Sequence, residues 1–172
     1  DLLEKSLTVK KRSALTEKNI YITRVTAFWL HGDLDRATDA ITEVEKRYEY
    51  LSASALTTFG FIYILKGDLQ KAAELTEKAL ADNADYSSAW DNLGQIKFRQ
   101  EDFTEAKQAF EKAVLLNPRM SDSLYYIALI EIKDGNIETA KKYLSQALEC
   151  NITTFNTVSR EEIENTQKNL EI

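Results

Sequence analysis

One histidine and one cysteine are all that the chain offers to a metal or to a nucleophilic triad. His31 stands before Gly32, with no cysteine near it in sequence and no G-x-S-x-G segment to make it a hydrolase base. It reads as a solvent-exposed turn residue. Cys150 falls near the end of a helical pattern and reads as a half-buried small apolar group rather than a reactive thiol. A single Cys and a single His exclude a disulfide framework and any Cys/His zinc site. The glycines are isolated, and neither G-x-G-x-x-G nor G-x-x-x-x-G-K-[ST] occurs, so no loop is built to cradle phosphate. Asp33 and Asp35 lack the Gly and the terminal Glu of a calcium loop. Asn151-Ile152-Thr153 has the form of a glycosylation acceptor but no secretory context. No catalytic residue, cofactor or metal is expected, and the chemistry that remains is recognition by a surface.

The charge balance narrows the partner. Lys and Arg number 22 against 28 Asp and Glu, a net charge of −6, whereas a nucleic-acid binder normally shows a basic face. The one basic cluster, Lys10-Lys11-Arg12, reads as a solvated helix end. The longest uncharged run, Tyr50 to Leu65, falls short of the ~20 residues that span a bilayer and carries Ser52, Ser54, Thr57 and Thr58. A protein partner is therefore expected, with no nucleic acid and no direct membrane insertion by this segment. The opening Asp1 and Glu4 do not suit a signal peptide. The expectation is an excised or processed chain in a cytoplasmic setting, with tethering through an upstream segment as the alternative.

The elements that must carry such a surface follow from the punctuation. With 1 Pro and 5 Gly in 172 residues, turns are few and helices long, while 44% hydrophobic residues suffice for a core. The sequence repeats every 34 residues. Trp90, Leu93-Gly94, Asp102-Phe103, Ala106, Phe110 and Ala113 fall in the columns of Leu56, Phe59-Gly60, Asp68-Leu69, Ala72, Thr76 and Ala79 one period earlier. One period later they fall on Leu124, Ile127-Ala128, Asn136-Ile137, Ala140, Leu144 and Ala147. Blocks 53–86, 87–120 and 121–154 follow without a gap. A degenerate block over 18–52, with Tyr21, Val25, Phe28, Gly32-Asp33-Leu34, Ala37, Ile41 and Val44, fits with one extra residue between Val44 and Leu56. Arg24 breaks one of its apolar columns.

Each block reads as a helical hairpin, because apolar residues recur at three- and four-residue spacing on both sides of a short turn. Gly32, Gly67 and Gly135 suit left-handed C-caps, with Glu101 in that place at some local cost. Asp33, Asp68, Asp102 and Asn136 then stand as N-caps, and Asp102 with Glu105 has capping-box spacing. Small residues form columns, Ala37/Ala72/Ala106/Ala140 and Gly60/Gly94/Ala128, which let two helix axes approach while Trp90 and Phe110 fill the space beside them. In a further column, Lys97 and Glu131 follow the apolar Phe28 and Tyr63, and the spacing predicts that they face each other as an ion pair between repeats.

This pattern resembles the tetratricopeptide repeat (TPR) family. Trp90, Leu93-Gly94, Phe103, Ala106, Phe110, Ala113 and Pro118 match it best, while Lys97 and Glu131 depart from it where the family usually has an aromatic. The resemblance implies an all-α, right-handed superhelical stack of antiparallel helix pairs, with a concave groove lined by the first helices. It covers 53–154 well and 18–52 loosely. Residues 1–17 read as a partial upstream helix and 155–172 as a C-terminal capping helix.

The same resemblance places Ile22, Thr26 and Trp29, then Thr57, Phe61, Ile64 and Leu65, on the groove. Asp91, Asn92, Gln95, Phe98, Arg99, Tyr125, Tyr126, Leu129, Ile132 and Lys133 follow in the later blocks. Of these, Trp29, Phe61, Leu65, Phe98, Tyr125, Tyr126 and Leu129 are the expected apolar contacts, and Asn92, Gln95, Arg99 and Lys133 the polar ones. The carboxylate clamp of heat-shock co-chaperones is not expected. Only Asn92 matches it, while Thr57, Phe61, Asp122 and Tyr126 replace its Lys, Asn, Lys and Arg, and Asp122 would repel a carboxylate. The expected function is a non-enzymatic module that binds an apolar-anchored peptide or helix. The alternative is a structural spacer or an oligomerisation segment, self-associating through its N-terminal end. Burial of these aromatics between helices, or their cover by 155–172, would make the patch core or self-occupied and put the structural-spacer reading in place of the groove.

Overall fold

The computed structural model describes residues 14–153 and 156–170. Among them are nine α-helices and no strand: α1 Ala14–Leu30, α2 Leu34–Arg47, α3 Ala53–Lys66, α4 Leu69–Asp82, α5 Ser87–Arg99, α6 Phe103–Leu116, α7 Ser121–Lys133, α8 Ile137–Glu149 and α9 Arg160–Asn169. Helices pair in sequence order, α1 with α2, α3 with α4, α5 with α6 and α7 with α8. The chain divides between Asp82 and Asn83 into two compact units. The expected upstream helix over 1–17 lies outside the described residues up to position 13, as do the Lys10-Lys11-Arg12 cluster and Phe155.

In the first unit, Val25, Ala37, Ile41 and Val44 seal the α1/α2 hairpin, and Phe59, Ile62, Ala72, Leu75 and Ala79 seal α3/α4, all at 0% exposure. Gly67 ends α3 in the left-handed region at φ 85°, where its N–H returns to Ile64 O. Asp33 and Asp68 cap the helices that follow by accepting from the N–H groups of Arg36 and Lys71, each at 3.0 Å. Arg24, the break in the apolar column, is neutralised by Glu43 and lies over the Tyr21 ring. Between α2 and α3 the loop runs from 48 to 52, one residue longer than 83–86 or 117–120. Asp82 holds this loop, taking the Ala53 N–H at 2.8 Å and the Tyr50 hydroxyl at 3.1 Å.

In the second unit, Phe110 packs against the bare Cα of Gly94, and the Trp90 indole N–H is spent on Ala84 O at 2.8 Å. Glu101 adopts φ 63°, the only non-glycine residue with positive φ among the described ones. Asp102 caps α6 through the Glu105 N–H at 3.2 Å. The reciprocal half of the capping box is absent, because the Glu105 carboxylate goes to Lys97 at 2.5 Å and the Asp102 N–H to Lys97 O. Asn136 does not cap α8; its amide donates to Glu131 at 2.8 Å.

The expected Lys97–Glu131 pair is therefore corrected. Glu131 is bound by Lys107 at 2.7 Å and by Asn136, and Lys97 reaches across its own hairpin to Glu105. Both charges were rightly expected to need partners, but the nearest donors and acceptors sit on the second helices and the turn. After α8, residues 156–159 lead into α9, and Val158 and Ile163 bury themselves with Leu124, Tyr125, Leu144, Ala147 and Cys150.

Candidate partner-binding site

In the first unit the site is built on α1 and α3. Helix α3 is apolar nearly all round, so after one side packs on α4 further apolar side chains remain at its surface. Trp29 and Phe61 meet edge to face, ring centroids 5.5 Å apart and planes at 72°. Both are half-buried, as are Ile22, Thr26 and Leu65, while Leu30 beside Trp29 is 53% exposed. Thr57 and Ile64, expected on the same face, are buried.

In the second unit, the aromatics expected from the sequence are brought together and pack on one another. Phe98 lies 4.9 Å from Tyr126 and 5.4 Å from Phe103, and Tyr126 stacks on Phe110 at 5.2 Å with planes 4° apart. Leu129 and Ile132 are half-buried beside the α7–α9 cluster. Lys133 is exposed, its ammonium 4.5 Å from the Phe103 centroid. Arg99 is exposed at the end of α5.

Asp91, Asn92, Gln95 and Tyr125, expected at the surface, are buried. For Asp91 and Gln95 the cause is the close facing of α5 and α7. Ser123 donates to Asp91 Oδ1 at 2.5 Å and Gln95 to Oδ2 at 2.8 Å. Burial, together with the charge of Asp122, lifts the Asp91 carboxyl to about 7 against the bonds from Ser123 and Gln95. For Tyr125 the cause is the terminal segment, since its hydroxyl meets Thr166 Oγ1 of α9 at 3.2 Å.

Sequence reasoning saw Asp122 only as a mismatch to the clamp. It is 5% exposed, and its carboxylate accepts from Asn156 Nδ2 at 3.0 Å, Thr157 N at 2.7 Å and Thr157 Oγ1 at 2.8 Å. The available signal was the polar run Ser121-Asp122-Ser123 at a helix start, facing a donor-rich Asn-Thr step one period later. Among the described residues no group of acidic, His or Cys side chains could hold a metal ion, and no helix is long and apolar enough to cross a membrane.

Comparisons with known proteins agree with this architecture. The chain is 30% identical over 118 residues to tetratricopeptide repeat protein 37 of Xenopus laevis, covering 68% of this chain and 8% of that protein. It is 25% identical over 117 residues to the BBSome complex member BBS4 homolog of Drosophila melanogaster, covering 68% and 24%. The matches thus span a quarter or less of these relatives' length. The crystal structure of the APC/C hetero-tetramer Cut9-Hcn1 shares the fold with a TM-score of 0.79 at 17% identity, covering 98% of this chain and 32% of that one. The fold is accordingly that of the TPR-type α-solenoids. The model of the cilia and flagella-associated protein 70 middle TPR-like domain matches residues 63–164, more than half of the chain, and the chain belongs to that TPR family.

Proposed function

We propose that this chain is a non-enzymatic module that holds an apolar-anchored peptide or helix of a protein partner on its first-helix faces. The TPR-type fold supports a role in protein–protein interaction in general. The observation that carries the finer reading is the half-buried Trp29–Phe61 pair with Leu65 and Leu30 beside it on α1 and α3. Aromatic rings left half-open at a helix face are the usual anchors of such contacts. Buried Asn92, Gln95 and Tyr125 offer a partner no surface, so the proposed contacts contract, taken unit by unit, to Trp29, Phe61 and Leu65 in the first and to Phe98, Arg99, Tyr126, Leu129 and Lys133 in the second.

A carboxylate clamp is disfavoured by the burial of Thr57 and Asp122 and by the negative charge of the latter. The experiment is selection of peptides from a displayed library on the full chain, followed by affinity against salt. An apolar-anchored site selects aromatic or aliphatic peptides whose affinity barely changes with salt; acidic or salt-steep binders would contradict the reading.

A second reading has two specific observations in its favour. Residues 156–170 cover part of α7 and the aromatics of the second unit largely pack internally, as a structural spacer would have it. Self-association that rises with concentration, measured by sedimentation, would support it.

A further inference from the structure

The start of α7, which the family resemblance leaves open to a partner, is taken by the chain itself. Among the described residues, every hydrogen bond that reaches the buried Asp122 carboxylate comes from Asn156 and Thr157: the Asn156 amide, the Thr157 backbone N–H and the Thr157 hydroxyl. The same Asn156 amide nitrogen also donates to Ser121 Oγ at 2.9 Å. A carboxylate buried without a cation must be satisfied by donors, and here a bent stretch of backbone, in which the Asn156 N–H turns back to Thr153 O at 3.1 Å, supplies them with two short polar side chains. That is how a groove reads a peptide: main-chain and polar contacts fix it, and an apolar side chain follows into a pocket. Val158 and Ile163 fill that place. The apolar hold of α9 is narrow, for Ile163 is its only buried side chain; the rest is polar, with Arg160 donating to Leu148 O at 2.9 Å, Gln167 to Ser145 Oγ at 3.1 Å and Thr166 meeting the Tyr125 hydroxyl.

We propose that this face of α7 is a peptide subsite and that residues 156–163 are its internal occupant. The partner it fits is a segment with an Asn-Thr-like donor pair and a following apolar residue, displacing the chain's own copy. The inference rests on the groove reading above and refines it. The Asp122 charge sets the selection: a carboxylate at that contact is repelled, and N–H, hydroxyl and amide donors are accepted. Tethering gives the internal copy an effective concentration in the millimolar range, so a partner binds weakly until the strap is loosened.

Two measurements on the full chain test this. Native-state hydrogen exchange is expected to show the α9 amides opening at least tenfold more often than those of α8, in a step that leaves α8 protected. Fluorescence anisotropy then uses a labelled synthetic peptide of residues 156–170. Thr157→Val with Ile163→Ala loosens the strap and leaves the subsite intact, and it is expected to bind the peptide at least tenfold more tightly than the wild type does. Adding Asp122→Asn to that variant is expected to lose the gain. The inference is overturned if α9 amides exchange only together with those of α8, or if the loosened variant gains no affinity. Either result makes 156–170 a fixed part of the fold and leaves the Trp29–Phe61 site standing, since that site is read by its own variants.

Discussion

The ring of Phe110 lies against the Cα of Gly94 so closely that a Cβ built there would stand 2.5 Å from two ring carbons. Phe110 is fully buried, so the ring has no open side to move into. Gly94→Leu is expected to cost about 1–3 kcal/mol by overpacking, despite the better helix propensity of leucine. Thermal and urea unfolding check this, and an unchanged midpoint would mean that the hairpin does not close as described.

Asp91 makes stability depend on pH. Its carboxyl titrates at about 7 in the fold and near 4 unfolded, so between those values the folded state binds more protons than the unfolded one. Its contribution is therefore full below about pH 4 and declines as pH rises toward 7. Asp91→Asn should flatten that decline and raise stability at pH 8. The new amide can donate to Gln95 Oε1, which has no hydrogen bond in the fold, once the Gln95 amide turns over. Urea midpoints of both proteins from pH 4 to 8 measure this. A variant as pH-dependent as the wild type would refute it.

Lys107 and Glu131 form a pair in which the carboxylate is 6% and the lysine 31% exposed. The Lys107 bond holds the Glu131 carboxyl below its ordinary range against the opposing effect of burial. Such a group stabilises the fold above the unfolded value, near 4.3, and loses that contribution as pH falls through its lower folded value. Lys107→Met leaves Glu131 with Asn136 alone and is expected to cost about 1–3 kcal/mol at neutral pH. The cost should shrink below pH 4. Urea unfolding at both pH values decides it, and a pH-independent cost would assign the loss to packing of the lysine stem instead.

The hairpins were legible because their signals are local and repeated. Glycine before aspartate marks the turns, and small residues recur where helices cross, as Gly94 does against Phe110. What was not legible depends on which helix faces which. Whether Gln95 points to a partner or to Asp91 is decided by the approach of α7 to α5, over 32 residues from Asp91 to Ser123. The 34-residue column put Lys97 beside Glu131, but a column gives equivalence between repeats and no contact, and nearer partners won. Asp82 falls in none of the repeat columns, so its bonds to Tyr50 in the 48–52 loop and to Ala53 at the start of α3 had no signal in the sequence.

The most direct test of the central claim is the anisotropy of library-selected apolar peptides on four forms of this chain: the wild type, Trp29→Ala, Phe61→Ala and the double variant. Exposed Glu77, replaced by alanine, serves as the control. Truncating an aromatic anchor typically removes roughly 2 kcal/mol or more, about thirtyfold in affinity. Each single variant is expected to weaken binding by about that factor and the double to abolish it, with helical content unchanged and Glu77→Ala binding as the wild type. Wild-type affinity in the double variant would contradict the account and leave the structural-spacer reading in its place.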